Sequence, residues 1–245
     1  MNTLQGNKDW LEFRCGKINA SEAGVLMSYG TQFEIKEDTD PALLVWGEEI
    51  EVKLKTKTKK CFRPYFSDGG ITLLETIVAE RMGSRRKEVN CSAVLWGSEN
   101  EPYAIEAYIE ETGFCVEEVG SIPHENYPFI CGSPDGVIIE HDVAIGGIEI
   151  KCPESIQNHI KYARSIDYIK KKHYHQVQQN IWINKTDWWD FVSYDPRNLA
   201  LPTFIHRFHR DEKYIQEMEY KLVLANQIAE EMYNDIIHPN LDVEF

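Results

Sequence analysis

Apolar positions recur with helical spacing in some stretches of this chain and alternate in others, and the two periods predict a mixed α/β succession. I-T-L-L-E-T-I-V-A-E-R-M, residues 71–82, reads as a helix closed by Gly83. Residues 91–112 continue as an acidic helix, and residues 154–165 and 168–184 as two more. A terminal helix runs from about Asp211 to Ile236. Its Ile215, Met218, Leu222, Ala225, Ala229 and Met232 form one stripe that packs on the domain or on a neighbouring subunit. Residues 8–27 predict a short helix, a turn at Gly16 and a second helix capped at Asn19 or Ser21, Glu22 standing three after Asn19. Strands are expected at 114–119, 129–131, 188–194 and 203–208, with Ile122-Pro123, Tyr127-Pro128 and Asp195-Pro196 as breakers. Between them, residues 132–153 read as a hairpin. Ser133-Pro134-Asp135-Gly136 opens a tight turn, Val137-Ile138-Ile139 is a β-branched run, Gly146-Gly147 signals a second turn, and Ile148-Glu149-Ile150-Lys151 alternates. Residues 28–67 show no period beyond a short apolar run at 43–46, and the lysine-rich residues 53–60 read as an exposed strand or a mobile loop.

The composition narrows the class. At 245 residues with 42% hydrophobic, one domain over 1–245 with an elaboration around 28–67 is expected. No apolar run reaches the length of a membrane span and the N-terminus lacks a basic-then-apolar leader, so a cytoplasmic chain without a membrane partner is expected. Six cysteines, at 15, 61, 91, 115, 131 and 152, lack C-x-x-C pairing and are expected as free thiols, mostly in the core. The formal charge of −14 argues against a general polyanion binder. Local clusters offset it: five lysines in residues 53–60, Arg85-Arg86-Lys87, and Lys170-Lys171-Lys172. Acidic metal ligands would also lower the net charge without repelling a polyanion once ions are bound.

Candidate chemistry sits on the hairpin. Strand residues alternate faces, so Glu149 and Lys151 project together while Ile148 and Ile150 enter the core. An antiparallel partner beginning at Asp135 would bring a second carboxylate beside Glu149. Two carboxylates and a lysine on one surface suit a Mg²⁺ site for phosphodiester hydrolysis, because oxygen ligands hold the ion and the ion polarises phosphate. Glu-x-Lys alone also fits the solvated face of an edge strand, and the surrounding motifs decide between the two.

Those motifs run in series: W-x-x-x-R at Trp10 to Arg14, W-G-x-x-x-E at Trp96 to Glu101, S-P-D-G at 133–136, E-I-K-C-P at 149–153, H-Q-V-Q at 175–178, Y-D-P at 194–196 and R-D-E-K-Y at 210–214. The series resembles the PD-(D/E)xK nuclease superfamily and, within it, the phage lambda exonuclease/YqaJ-type recombinase family. The resemblance covers about Trp10 to Ile215, with residues 28–67 the main departure. It implies a restriction-endonuclease-like core, a central mixed β-sheet flanked by helices. It implies a Mg²⁺-dependent 5′→3′ exonuclease on double-stranded DNA, two ions per site, with Mn²⁺ as a substitute. Asp135, Glu149 and the Ile150 carbonyl would bind metal, Lys151 would position the attacking water, and Glu101 would assist at the ions. Arg14, Ser21, Ser133 and Gln176 would hold the 5′-terminal phosphate, and Val94 falls where relatives place an apolar wedge. A homotrimeric ring, a single-strand annealing partner and a phage or prophage origin in a bacterial host are further implications.

Three other readings use the same residues. A RecB-type nuclease with an iron–sulfur cluster needs cysteines after the active site, and none follows Cys152. A restriction-type endonuclease would share the core without the end-phosphate pocket, so Arg14 discriminates. A non-catalytic DNA-binding or assembly protein would be expected to lack one of Asp135, Glu149 and Lys151.

Overall fold

In the N-terminal segment the first predicted helix forms and the second does not. The structure, a computed structural model, describes residues 7–85 and 91–239, so Arg86 and Lys87 of the second basic cluster lie outside the described residues. Asn7 caps α1 (Lys8–Arg14), its side chain accepting the Trp10 N–H at 2.7 Å. Gly16, at φ +71°, turns the chain into strand β1 (Ile18–Asn19), followed by a 3₁₀ turn over Ala23–Met27. The predicted second helix is therefore replaced by strand and turn. Asn19 donates through its amide to the carbonyls of Arg14 and Lys17 and to Glu22, while its backbone joins a parallel ladder opposite Cys131. The Asn19–Glu22 spacing marks a turn rather than a helix cap.

Residues 28–67 carry a three-stranded antiparallel sheet: β2 (Phe33–Glu34), β3 (Gly47–Lys53) and β4 (Thr58–Pro64), in the order β2-β4-β3. The lysine-rich stretch is the outer half of the β3–β4 hairpin. Helix α2 (Asp68–Arg81) starts on Ser67 and ends before Gly83, at φ +101°, where the glycine predicts. Helix α3 (Ser92–Thr112) ends on Gly113 at φ +74°. Strands β5 (Val116–Glu117), β6 (Ile122–Pro123), β7 (Ile130–Gly132), β8 (Gly136–Glu140) and β9 (Val143–Lys151) follow. Helices α4 (Ile156–Arg164) and α5 (Ile166–Asn184) cross to β10 (Trp188–Tyr194), then come β11 (Thr203–His209) and α6 (Glu212–Ile237).

The β8–β9 hairpin does not turn at Gly146-Gly147. It turns at His141-Asp142, both left-handed at φ +50° and +64°, as the tight turns that match strand twist require. The two glycines lie inside β9, where a Cβ on Gly146 would meet the Trp188 ring and one on Gly147 the Trp189 ring. They let the tryptophans of β10 lie directly on the neighbouring strand.

The main sheet has the order β11-β10-β9-β8-β5, parallel between β9 and β10 and antiparallel elsewhere. Both faces are covered. Ile138, Ile148, Ile150 and Val192 pack under Ala104 and Tyr108 of α3. On the other face Val137, Trp189 and Phe191 join the larger core with α2, α5 and α6, including the α6 stripe of Ile215, Met218, Leu222, Ala225 and Ala229. A smaller sheet, β1-β7-β6, ties the N-terminal segment to the strand just ahead of Ser133. Disulfides are absent among the described residues. Cys61, Cys131 and Cys152 are buried, but Cys91 and Cys115 are exposed, so the core holds only half of the thiols.

Candidate active site

β9 carries alternating side chains into opposite layers, and this places a charge where a strand in water would have none. Ile148 and Ile150 fill the α3 side, and Glu149, 0% exposed, is pressed against α5. Lys151, two residues on and on the same face, donates to Glu149 Oε1. The Asn180 amide of α5 reaches Glu149 Oε2 at 3.4 Å. Gly136 pairs with Ile148 across the antiparallel ladder, so Asp135 arrives one step beyond, and its Oδ2 accepts the Ile150 N–H at 2.6 Å. Asp135, Glu149, Ile150 and Lys151 are thus held by one strand pair.

Glu101 comes from α3. Burial pushes its carboxyl up to about 7, with the Asp135 charge adding and Lys151 opposing. Burial likewise pushes Glu149 up to about 8, Lys151 opposing while Asp135 and Glu101 add. Lys151 loses hydration on burial, yet the carboxylates of Glu149 and Asp135 more than offset this and hold its ammonium above the usual range. Burial and the Asp135 charge therefore raise the proton affinity of Glu101 and Glu149 around a single ammonium, the condition a hard divalent cation relieves. Among the described residues no three His, Cys, Asp or Glu side chains form a finished metal cage. The donor set nonetheless fits Mg²⁺, which takes one or two carboxylates and leaves its other positions to water and phosphate.

The turn after Lys151 is fixed from the far side of the sheet. Arg197 pairs with the buried Asp195 of Y-D-P, donates to the carbonyls of Pro153 and Glu154 at 3.1 and 2.9 Å, and stacks over Trp96 of α3 at 4.2 Å. One guanidinium thereby joins the E-I-K-C-P, Y-D-P and W-G-x-x-x-E motifs. Burial pushes the Cys152 thiol up to about 12, so it carries no thiolate chemistry. His173 and His175 face different partners, as their spacing requires. The first meets the Tyr162 hydroxyl at 2.9 Å and the second that of Tyr214 at 2.5 Å, and burial keeps His173 neutral with its pKa down at about 3.

Beside this cluster lies a second one. Arg14 donates to Ser133 Oγ at 3.2 Å and to Ser21 Oγ at 3.1 Å. Trp10 Nε1 donates to the same Ser133 oxygen at 3.1 Å, its ring lies 4.2 Å under the Arg14 guanidinium, and Ser121 Oγ is 2.6 Å from Ser133 Oγ. Gln176 does not join this knot directly. It lines, with Ser21, Lys171 and Lys172, an adjoining cavity of about 770 Å³ that Ser28, Ser67 and Gly69 also line. Val94 stands exposed on α3. Sequence reasoning assigned no role to Trp10, Ser121 or Asn180. The four-residue spacing of Trp10 and Arg14 on one helix face was a usable signal for the first. Ser121 and Asn180 carry none, since only the fold brings them to Ser133 and Glu149.

Residues 9–187 match the model of the YqaJ-like viral recombinase domain. Among solved structures, LHK-Exo in complex with dAMP aligns at a TM-score of 0.71 and 25% identity, covering 94% of this chain and 96% of that one. LHK-Exo described as an alkaline exonuclease from Laribacter hongkongensis aligns at 0.69 and 25%, with the same coverage. A phage-related exonuclease from Haemophilus somnus 129PT aligns at 0.62 and 16% over 90% of this chain and 96% of that one, a likeness of fold. No curated protein matches the chain. The fold is the mixed α/β, restriction-endonuclease-like core that the motif series implied.

Proposed function

Since the chain belongs to the YqaJ-like viral recombinase family, we propose that this nuclease of recombination is a Mg²⁺-dependent exonuclease that degrades one strand of linear duplex DNA from a 5′-phosphorylated end. The observation that carries the reading is the Ser133-Pro134-Asp135 link between β7 and β8, which bends at Asp135 and does not form the expected tight turn. Its serine hydroxyl sits in the Arg14 cluster and its aspartate sits against Ile150 in the carboxylate cluster, so an end-binding site and a hydrolytic site share three consecutive residues.

Asp135, Glu149 and the Ile150 carbonyl would hold Mg²⁺, with Glu101 alongside. The ion supplies Lewis-acid polarisation of the phosphate and a lowered water pKa. Lys151, kept charged by its carboxylates, orients the attacking water and steadies the charge that develops on the phosphate oxygens. Arg14 offers a guanidinium fork fixed by Trp10, with the Ser21 and Ser133 hydroxyls beside it, which suits a terminal phosphate. Gln176 donates from the cavity wall without adding charge. Anchoring the terminal phosphate at Arg14 presents the next phosphodiester to the carboxylates, and this sets 5′→3′ polarity.

The test is digestion of linear duplexes bearing 5′-phosphate or 5′-hydroxyl ends, with a closed circle as control. Wild type is expected to prefer the phosphorylated end and spare the circle, while Arg14→Ala treats the two ends alike. Cutting of the circle would make the protein an endonuclease. Equal digestion of both ends by wild type would remove the end-phosphate role of Arg14.

A further inference from the structure

Charge along the β3–β4 hairpin is sorted by height. At its root Glu48 pairs with Arg63; further out Glu51 stands opposite Lys60, and Lys59, one register pair below the tip, pairs with Glu34. Beyond that, residues 53–58 read K-L-K-T-K-T, with no acid at all. Lys53, Lys55 and Lys57 are exposed and make no ion pair among the described residues. Three exposed cations on one projection, of which only Lys57 feels a nearby acid among the described residues (Glu34), stand out in a chain of net charge −14.

We propose that the outer half of this hairpin is a duplex-backbone contact, with Lys53, Lys55 and Lys57 on DNA phosphates beyond the end pocket. The proposal rests on the nuclease reading and deepens it. Position supports it first. β4 runs through Tyr65 and Phe66 into Ser67, whose N–H donates to the Ser28 carbonyl at 3.0 Å, and both serines line the cavity shared by Ser21 and Gln176. The hairpin therefore rises from the rim of the pocket that would receive the DNA end. Its seven-residue strands span about 20 Å, enough to pass several base pairs.

Rigidity supports it second. The root is bolted to α6: Lys221 donates to the Tyr65 carbonyl at 2.8 Å and lies 3.3 Å from the Tyr29 ring centre, and Trp46 Nε1 donates to Glu231 at 3.0 Å. Cys61 and Phe62 are buried at the base, and the Leu54 N–H closes the tip on the Lys57 carbonyl at 2.8 Å. The lysine backbones are thus presented in a fixed array, which lowers the ordering cost of binding. Lysines aimed at phosphates without base-reading groups give affinity that is independent of sequence and dependent on salt, which suits an enzyme that must move along any duplex.

The test measures binding of a blunt, 5′-phosphorylated duplex in EDTA, so that no hydrolysis intervenes, between about 50 and 200 mM salt. The triple variant Lys53→Gln, Lys55→Gln, Lys57→Gln is expected to flatten the slope of log K against log salt by about 0.9 per lysine lost. The Lys→Arg triple at the same positions keeps the wild-type slope, and so does Lys213→Gln, an exposed α6 lysine removed as control. A Gln triple with the wild-type slope would overturn the proposal. An Arg triple that loses as much as the Gln triple would also overturn it, since charge would not be the cause. Wild type that neither binds nor digests duplex overturns the nuclease reading itself, so the two failures are told apart.

Discussion

At the end of β9, Lys151 stands against Glu149, a carboxylate with no exposed surface, whereas at the tip of β3–β4 Lys55 stands in water with no acid in its segment. The side chain is the same, and its physical role is opposite. Lys151 is partly exposed but its partner Glu149 is fully buried, so the charges at that end of the pair are felt strongly and loss of the lysine leaves a buried carboxylate uncompensated. Around Lys55 each charge is screened within about a Debye length, so single lysines count for little and the array acts by addition. The buried region should respond to substitution in an all-or-none way and ignore salt. The exposed region should respond by degrees and follow salt closely.

The largest expected effect tests the buried half. Lys151→Ala and Glu149→Gln should each lower hydrolysis by about 10²–10⁴-fold, and lowering salt should not restore it. Recovery of Lys151→Ala at low salt, read from nucleotide release, would erase the distinction, because the lysine would then be acting as one more phosphate contact.

A smaller effect sharpens it. The Asn180 side-chain amide donates to Glu149 Oε2, so Asn180→Ala should raise the divalent-ion concentration giving half-maximal rate by about tenfold. The salt slope of duplex binding should stay as in wild type. An unchanged ion requirement would show that Lys151 alone fixes the carboxylate.

The smallest effect lies where the two regions meet. Lys221, at the root of the hairpin, is as buried as the tip lysines are exposed. Burial lowers its pKa to about 8, Glu217 and Glu48 opposing and Arg63 adding. Its folded pKa lies below the unfolded value, so above pH 8 the unfolded chain binds more protons and stability gains as pH rises toward the unfolded value. Below pH 8 the cost of the buried ammonium is present in full. Lys221→Met should therefore lack this gain between pH 8 and 10, visible as a wild-type Tm that rises relative to the variant's as pH rises. A pH-independent gap would mean that Lys221 is neutral or solvated throughout.

The elements were legible in the sequence wherever one period ran long enough. Helices α2, α3, α5 and α6 and strands β10 and β11 lie close to where the apolar pattern puts them, and Gly83 and Gly113 stop their helices as left-handed residues. The misreadings share a cause. Gly146-Gly147 has the composition of a turn, but the pair is there because two tryptophans from a strand some forty residues later cross it. Asn19 and Glu22 have cap spacing, but Asn19 is claimed by a parallel ladder with β7. In both, a partner distant in sequence outweighed the local signal.

The same division holds for the site. The motifs in series pointed to Asp135, Glu149, Lys151, Arg14, Ser21 and Ser133, because carboxylates, cations and turn residues keep their spacing within a strand, a helix or a turn. Alternation along β9 alone fixed that Glu149 and Lys151 share a face. What the sequence left undecided was which face is dry, and so whether Glu149 is a solvated surface acid or a buried one with a raised pKa. The packing of α5 against the sheet decided that, together with the meeting of Arg14 with Ser133 and of Asn180 with Glu149. Local spacing is set by the geometry of one backbone segment, whereas burial depends on which distant segment closes over it, and that is a property of the whole fold.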